Sequence, residues 1–198
     1  MLLKPVLVTP PAADKPLVSL AEAKAQCRVD HDVDDRLLEM LVAVATAWLD
    51  GYSGVLGRAL INQTWRLPLS YWPACQIRLP LAPVSTIASI KYFDAANVEQ
   101  TLDPANYSLI EDALSPAARW TSTASFPSLF ERPDAISVNF VAGYGAAASD
   151  VPAAIVHAAK MIIAHLYENR EHAIVGTSAQ AVPFGADVLI APFRRVGF

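Results

Sequence analysis

Apolar residues follow helix-type spacing in two long stretches of the chain, which flank a stretch of strand-type alternation. Over residues 33–52 and again over 151–171, they recur every three or four positions, the spacing of one helix face. The positions are Leu37, Leu41, Val44, Ala45, Trp48 and Tyr52 in the first stretch, and Ile155, Ala159, Ile162, Ile163 and Leu166 in the second. The pattern therefore predicts two amphipathic helices, each burying one stripe.

Start signals predict a third, shorter helix ahead of these two. Ser19 and Glu22 have the spacing of a capping box, in which each side chain bonds the backbone amide of the other residue, so a helix over 19–29 is expected. Asp32 is placed to cap the helix over 33–52. Three helices in all are predicted outside the strand-rich middle of the chain.

The stretch 61–144 predicts a small antiparallel sheet inserted between the helices. Short runs rich in β-branched and aromatic residues are separated there by turn residues such as "DAAN" and "DPAN". The runs are "QTWRLPL", "QIRLP", "STIASIKYF", "NYSLI" and "AISVNFVAGY". In the last run, Ile136, Val138 and Phe140 alternate with polar residues, as in a half-buried strand. The predicted fold class is α+β.

The two ends of the chain lack such periodicity. Residues 1–16 are proline-rich and are expected to form an extended leader, followed by one main domain over 17–171. Residues 172–198 contain glycine or proline at five positions and predict an extended C-terminal arm too interrupted for a regular helix. The arm has two possible roles, which are a contact with a partner or an edge strand on its own sheet.

Composition favours a protein with subunit interfaces. Hydrophobic residues make up 54% of the chain and charged residues 17%, against about 25% charged in an average domain. Subunit interfaces would use this apolar surplus, and a large alanine-rich core is the alternative. The net charge of −4 argues against a protein whose main task is to hold nucleic-acid phosphates.

No membrane or redox role is expected from the sequence. Apolar runs fall short of the ~18 residues of a membrane span, and prolines break the N-terminal run where a signal peptide would need continuity. Cys27 and Cys75 lie far apart and lack metal or redox spacing, so we expect both to be buried small hydrophobic residues. A cytoplasmic protein is the resulting expectation.

Metal and cofactor sites are not predicted. Asp30, Asp32 and Asp34 match the first ligand positions of a calcium-binding EF-hand loop. The match then fails, because Asp35 stands where glycine is needed and Leu41 where a bidentate carboxylate is needed. Helix capping explains the aspartates better, and we predict no cofactor.

Catalytic motifs are also missing from the sequence. "GYSGVLG" and "GTSAQ" depart from the GxSxG nucleophile motif, and the glycines at 51, 54 and 57 fit no phosphate-binding loop. We therefore expect a protein that is not an enzyme, with no catalytic residues. A triad assembled only in three dimensions is the alternative.

The order of segments resembles the head-to-tail connector (adaptor) family of long-tailed bacteriophages and phage-derived gene transfer agents. The resemblance runs from about Leu17 to Arg195. It rests on "SLAEAKAQCRVDHDVDDRLLEML", "GYSGVLGRALINQTWRLPL", "LPLAPVSTIASIKYFD", "RPDAISVNFVAGYG", "VPAAIVHAAKMIIAHLYENRE" and "LIAPFRR". The loop at 53–58 is longer than the tight glycine-arginine turn of the family.

The resemblance implies a structural role in a virion neck. It implies a helical bundle with a β-rich insertion, assembled as a dodecameric ring beneath the portal protein. Such a ring would extend the DNA channel without binding DNA specifically, and it would receive the next neck, stopper or tail-completion protein. The subunit would assemble in the bacterial cytoplasm and end in the neck of the particle.

Candidate contact residues follow from the arm and from the resemblance. The resemblance implies that the arm reaches the portal. The side chains of the arm suit a contact with a partner, because aromatic side chains bury large area at low entropic cost and arginines pair with acidic groups. The candidate portal-binding residues are Phe184, Leu189, Ile190, Phe193, Arg194, Arg195 and Phe198. The resemblance implies ring contacts from the long helices, and the candidates there are Tyr167, Arg170 and Glu171. The alternative functions are another neck or tail-completion protein, and a small enzyme or ligand-binding module.

Overall fold

A computed structural model describes residues 4–111, 115–169 and 184–195 of the chain. The chain divides into two compact units. The first, here called the β unit, comprises residues 1–11 and 62–144. The second, called the helical unit, comprises residues 12–61 and 145–198. The mixture of helices with antiparallel sheets confirms the predicted α+β class.

The β unit contains two antiparallel sheets. Its strands are β1 Val6–Thr9, β2 Gln63–Leu69, β3 Gln76–Arg78, β4 Val84–Phe93, β5 Glu99–Thr101, β6 Tyr107–Glu111, β7 Pro116–Trp120 and β8 Ile136–Ala142. The five-stranded sheet has the order β1-β2-β8-β4-β5, and the three-stranded sheet has the order β3-β7-β6. The part of the chain expected to be an extended leader therefore contributes an edge strand, β1, which pairs with β2.

Strand β8 is the centre of the larger sheet. It pairs with β2 on one side and with β4 on the other, placing Phe140 opposite Trp65 and Val138 opposite Ile90. Its side chains alternate between buried and half-buried along the strand, with Ile136 fully buried. This confirms the period-two pattern read from the sequence, because a strand turns successive side chains to opposite faces.

Each of the five predicted strand runs contains a strand, and three further strands were not predicted. Strand β7 begins at a proline and contains Ala117 and Ala118. Alanine has low strand propensity, but both residues are fully buried. Strand β5 has three polar residues, and β1 lies among prolines. In β5 and β7, pairing with a neighbouring strand outweighs weak local preference, whereas β1 has strand-forming residues and was missed because prolines flank it.

The helical unit contains four helices among the described residues: α1 Leu20–Cys27, α2 Asp35–Leu49, α3 Ala153–Glu168 and α4 Phe184–Ile190. Helices α1, α2 and α4 all pack against α3, and α1 also packs against α2. The stripe predicted on α3 is buried from Ile155 to Ile163, and only Leu166, near the end, is half-exposed. Helix α3 therefore provides the apolar surface that organises this unit.

The predicted capping box of α1 is confirmed, whereas the predicted cap of α2 is wrong. Ser19 accepts from the Glu22 amide, and the Glu22 carboxylate accepts from the Ser19 amide. The residue that precedes α2 is Asp34, and its side chain makes no capping hydrogen bond. Asp32 lies two residues before this cap position, because α2 begins only at Asp35, and it instead accepts a hydrogen bond from Lys24 at 2.7 Å.

Two further expectations about the helical ends and the cysteines need correction. Helix α3 ends at Glu168, where the side-chain amide of Asn169 donates to the carbonyl of His165 and replaces a further turn. Cys75 is exposed and Cys27 is half-buried, so neither is the fully buried residue that was expected. Cys75 lies in the loop before β3, where no apolar layer covers it.

Candidate assembly surfaces

Of the C-terminal segment, residues 184–195 are described, and they fold as a helix, α4, followed by a 3-10 turn at Ala191–Phe193. This corrects the expectation of an extended arm without regular helix. Ala186 and Ile190 lie four residues apart, one above the other on a helix face, and both are fully buried. Gly185 lies close to Met161 of α3, where a Cβ would come within 2.9 Å of Met161 Cε. Packing on α3 thus stabilises a helix that the sequence pattern did not predict.

The end of the segment is tied to the loop that follows α2. The Arg195 amide donates to the Leu56 carbonyl at 3.1 Å, and Arg58 Nε donates to the Phe193 carbonyl. Gly57 has a positive φ of 60°, a conformation that favours glycine, and its α-carbon faces the Arg195 side chain. The longer loop at 53–58 therefore hydrogen-bonds Phe193 and Arg195 of the C-terminal segment.

Two adjacent arginines near the chain end have different surroundings. Burial lowers the pKa of the half-buried Arg195, and the nearby positive charge of Arg58 lowers it further. Arg194 is exposed, and its guanidinium donates to Asp187 of α4 at 2.7 Å. Of the pair, only Arg194 has a side chain directed largely to solvent and so open to an acidic partner.

The predicted portal-binding residues have unequal exposure. Ile190 is fully buried within the helical unit, because helix formation turns it onto α3 with Ala186, and it cannot contact a partner in this conformation. Leu189 and Phe193 are half-buried. The side chain of Phe184 and the whole of Phe198 lie outside the described residues. Portal contact by Leu189, Phe193 and Arg194 stays a prediction.

Among the predicted ring contacts, Tyr167 has an intramolecular hydrogen bond. Its hydroxyl donates to Asp34 Oδ2 at 2.6 Å and so joins the end of α3 to the start of α2. Arg170 and Glu171 lie outside the described residues. The role of these three residues between subunits stays a prediction, and for Tyr167 the structure adds a role within the subunit.

Ion pairs join α1 both to α3 and to the start of α2. Lys160 of α3 donates to Glu22 of α1 at 2.7 Å, and together with the Ser19 capping bonds this lowers the pKa of Glu22 to about 2. Lys24 of α1 bridges Asp32 and Asp35, each at 2.7 Å. Two of the aspartates noted in the sequence, Asp32 and Asp35, therefore neutralise a lysine, and Asp35 does so at the first residue of α2.

Helix α2 buries a different face from the one predicted. The buried residues are Leu38, Leu41, Val42, Ala45 and Leu49, so the prediction was right for Leu41 and Ala45. Val44 and Trp48 are exposed, as is Tyr52 just beyond the helix. The sequence pattern misled because α2 is apolar on two sides, and spacing alone does not say which side faces its own core.

An aromatic cluster on the β unit was missed in the sequence. Trp72 packs against Tyr92, Trp120 and Phe126 with ring centroids 5.7, 5.9 and 5.3 Å away. The indole nitrogens of Trp72 and Trp120 donate to the backbone carbonyls of prolines, which fixes both rings. Phe126 is partly exposed. The dipeptides Trp72-Pro73 and Phe126-Pro127 were the available signal, since proline stiffens the chain beside each ring.

The described part of the chain contains neither a group of metal-binding side chains nor a helix that could span a membrane. Within residues 4–111, 115–169 and 184–195, no three His, Cys, Asp or Glu side chains are close enough to hold a metal ion. The helices found in those ranges are also too short or too polar to cross a bilayer.

Comparison with known proteins finds a match to one family and structural matches to chains of gene transfer agent particles. A family model described as phage gp6-like head-tail connector protein matches residues 18–101. No curated protein sequence matches the chain.

Solved structures match the whole chain. A chain of the neck of an empty gene transfer agent (GTA) particle, computed with C6 symmetry, is 27% identical with a TM-score of 0.78. A chain of the virion of a native GTA particle gives the same values. A third, from the neck of a native GTA particle computed with C12 symmetry, is 26% identical with a TM-score of 0.69. Each match covers 99% of this chain and 97% of the other. The chain is thus similar over residues 18–101 to the phage gp6-like head-tail connector family and over nearly its full length to chains of GTA particles.

Proposed function

We propose that this protein is a structural subunit of the neck of a phage-like particle, where it joins the head to the tail. The likeness to chains of the GTA neck carries the proposal, because it extends over 99% of this chain at 27% identity. It therefore includes both the β unit and the helical unit. The connector family match over residues 18–101 supports the same role. Similarity to this family favours a structural role over catalysis.

We propose further that the subunits form a closed ring of twelve beneath the portal. The similar necks were computed with C12 and C6 symmetry, which means that identical chains are related there by rotation about one axis. A ring of this kind uses two different patches on each copy. The low charged fraction of 17% supports extensive subunit contact, since interface cores are depleted in charge.

The ring would extend the DNA channel without gripping the DNA. DNA affinity comes largely from lysines and arginines that neutralise phosphates, and this chain carries 15 of them against 19 acidic residues. A lumen lined by such a chain favours sliding. We expect DNA affinity of the purified protein to be weak at low salt and to change little as salt is added. A steep fall in affinity with salt would contradict this part of the proposal.

The C-terminal segment is proposed to contact the portal as a folded surface. Its buried residues hold it on the helical unit, which leaves the half-buried Leu189 and Phe193 and the exposed Arg194 to meet a partner. Because Arg194 already pairs with Asp187 on the surface, exchanging this carboxylate for one on the portal costs little. The subunit would assemble in the bacterial cytoplasm and then receive the next neck or tail-completion protein.

The oligomeric mass of the full-length protein tests the proposal. Native mass spectrometry is done on the protein alone and after mixing with the portal of the same particle. We expect a twelve-subunit ring, at least when portal is present. Protein that stays monomeric both alone and with the portal would rule out the connector function. If the Arg194→Ala ring binds the portal normally, only the proposed portal contact of that residue is removed.

A further inference from the structure

We propose that the exposed face of α2 is covered by a second copy of this chain and forms one side of the subunit interface in the ring. This inference rests on the proposed ring and adds to it the surface that the ring uses. The face is here called the outer stripe and is defined by Met40, Val44 and Trp48 of α2, with Ala43 and Ala47 between them.

The outer stripe lies opposite the face that α2 buries. At 100° per residue, Met40, Val44 and Trp48 are each 40° apart around the helix and span about 12 Å along its axis. Leu38, Ala45 and Leu49, on the buried face, point in roughly the opposite direction. Helix α2 therefore has two apolar sides, and packing within the helical unit covers only one of them.

Exposure on the outer stripe is high and unbroken by charge. Met40 is 54% exposed, Val44 49% and Trp48 36%. Between Leu37 and Leu49 the sequence has one charged residue, Glu39. A solvent-facing side of a surface helix is normally charged or polar, and a helix that is apolar all round is normally buried. The composition of α2 thus fits a helix that is covered on both sides in the assembled protein.

Exposed apolar side chains of the helical unit are concentrated at this helix. Among the described residues of that unit, the exposed large hydrophobic side chains are Val33, Met40, Val44, Trp48, Tyr52 and Val188. Val33 precedes α2 and Tyr52 follows it, so all but Val188 lie on α2 or beside its ends. Scattered exposed hydrophobic residues are ordinary, whereas a contiguous group marks an interaction surface.

A second copy is the occupant that the comparisons favour. The similar necks were computed with C12 or C6 symmetry, which relates identical chains by rotation about one axis. A neighbour placed by rotation meets the outer stripe with a different patch of its surface. An uncharged apolar surface suits this permanent contact between identical chains better than a transient one.

The test places a charge in the centre of the outer stripe. Val44→Lys puts an ammonium group where the proposal requires a dry contact, and burial of an unpaired charge is strongly unfavourable. Val98→Lys is the matched control, because Val98 is 52% exposed and lies on the β unit. Ring formation, alone and on purified portal, is measured by native mass spectrometry over a range of protein concentrations. Circular dichroism and thermal melting check the fold of each variant.

We expect Val44→Lys to need at least about tenfold more protein than the natural chain to form rings, while Val98→Lys assembles normally. Ala47→Glu, at another exposed position of the stripe, replaces Val44→Lys if that variant does not fold. Normal assembly of the folded stripe variant would overturn the inference and leave the proposed ring standing. Equal loss in the stripe variant and in the control would also overturn it. Failure of the natural chain to form any ring, alone or on portal, would instead refute the proposed function.

A different occupant would be recognised in the same experiment. If the stripe variant forms normal rings but no longer binds the next neck protein, the outer stripe belongs to that partner, and the inference is wrong.

Discussion

Glu22 is the residue that combines helix capping with contact between helices. Its carboxylate accepts from the Ser19 amide, from the Ser19 hydroxyl and from Lys160, and these bonds hold its pKa at about 2 against an ordinary 4.5. A lowered pKa means that the folded state favours the charged form. Stability from Glu22 is therefore fully present above about pH 4.5 and is lost as pH falls towards 2.

Glu22→Gln is predicted to lower the free energy of unfolding at neutral pH by about 1 kcal/mol, a value kept modest because the side chain is partly exposed. The difference from the natural chain should shrink as pH falls from 4.5 towards 2, where protonation removes the same charge. Urea unfolding at several pH values measures it. Glu39→Gln, which removes a charge from an exposed position on α2, is the control. A difference that is constant across this pH range would show that the charge of Glu22 is not responsible.

Tyr167 can be tested for its two possible roles separately. Its hydroxyl bonds the Asp34 carboxylate within the subunit, whereas the family resemblance implies a contact between subunits. Tyr167→Phe is predicted to lower the free energy of unfolding by about 1–2 kcal/mol, because a hydrogen bond to a charged group is lost. Ring formation by the folded variant should be unchanged if the hydroxyl acts only within the subunit. Loss of rings with unchanged stability would favour the contact between subunits.

At the scale of elements, α4 is the part whose role the structure changes most. The sequence suggested a free arm, but Ala186 and Ile190 anchor the segment on α3 and the Arg195 amide bonds the Leu56 carbonyl. The segment is thus part of the core of its own unit. Removal of residues 184–198 is accordingly expected to destabilise the helical unit as well as to affect portal binding.

Ile190→Ala is predicted to lower the free energy of unfolding by about 2–4 kcal/mol, because a fully buried side chain is replaced by a cavity. Val188→Ala on the same helix is the matched control. Val188 is 55% exposed, so its truncation should cost no more than about 0.5 kcal/mol. Thermal or urea unfolding measures both. Equal effects of the two variants would show that α4 is not held on α3 through Ile190.

Elements with strong local signals could be predicted from the sequence, and those fixed by tertiary contact could not. The Ser19 capping box, the stripe of α3 and the alternation in β8 were right, because each depends on spacing along one segment. Helix α4 and strand β7 were missed, because their glycine, proline or alanine residues gain stability only from neighbours. The buried face of α2 was misassigned for a related reason, since a helix with two apolar sides has an ambiguous pattern.

The candidate contact surfaces could be predicted only in part. The arginines and aromatic residues of the arm were noticed as unusual in the sequence, but its burial on α3 depends on the fold. Val44 and Trp48 of the outer stripe were counted as core, because apolar spacing looks the same whether the cover comes from the same chain or from a neighbour. An exposed apolar face becomes informative only when the buried face is known.

At the scale of the whole molecule, the protein is a folded subunit that leaves some large apolar side chains exposed. The helical unit keeps an uncharged face on α2, and the β unit exposes part of an aromatic cluster at Phe126. An assembly that repeats the chain around an axis provides a second set of contacts for such faces. The similarity to chains of GTA necks, which were computed with rotational symmetry, is consistent with such faces being covered in an assembly.

The most direct test is an electron cryomicroscopy reconstruction of the neck of particles that contain this protein. We predict a ring of twelve copies, as in the similar neck computed with C12 symmetry, with the α2 outer stripe of each copy against its neighbour. Each subunit should keep both of its units folded as described here. A neck without density for this chain, or single copies that do not touch one another, would contradict the account.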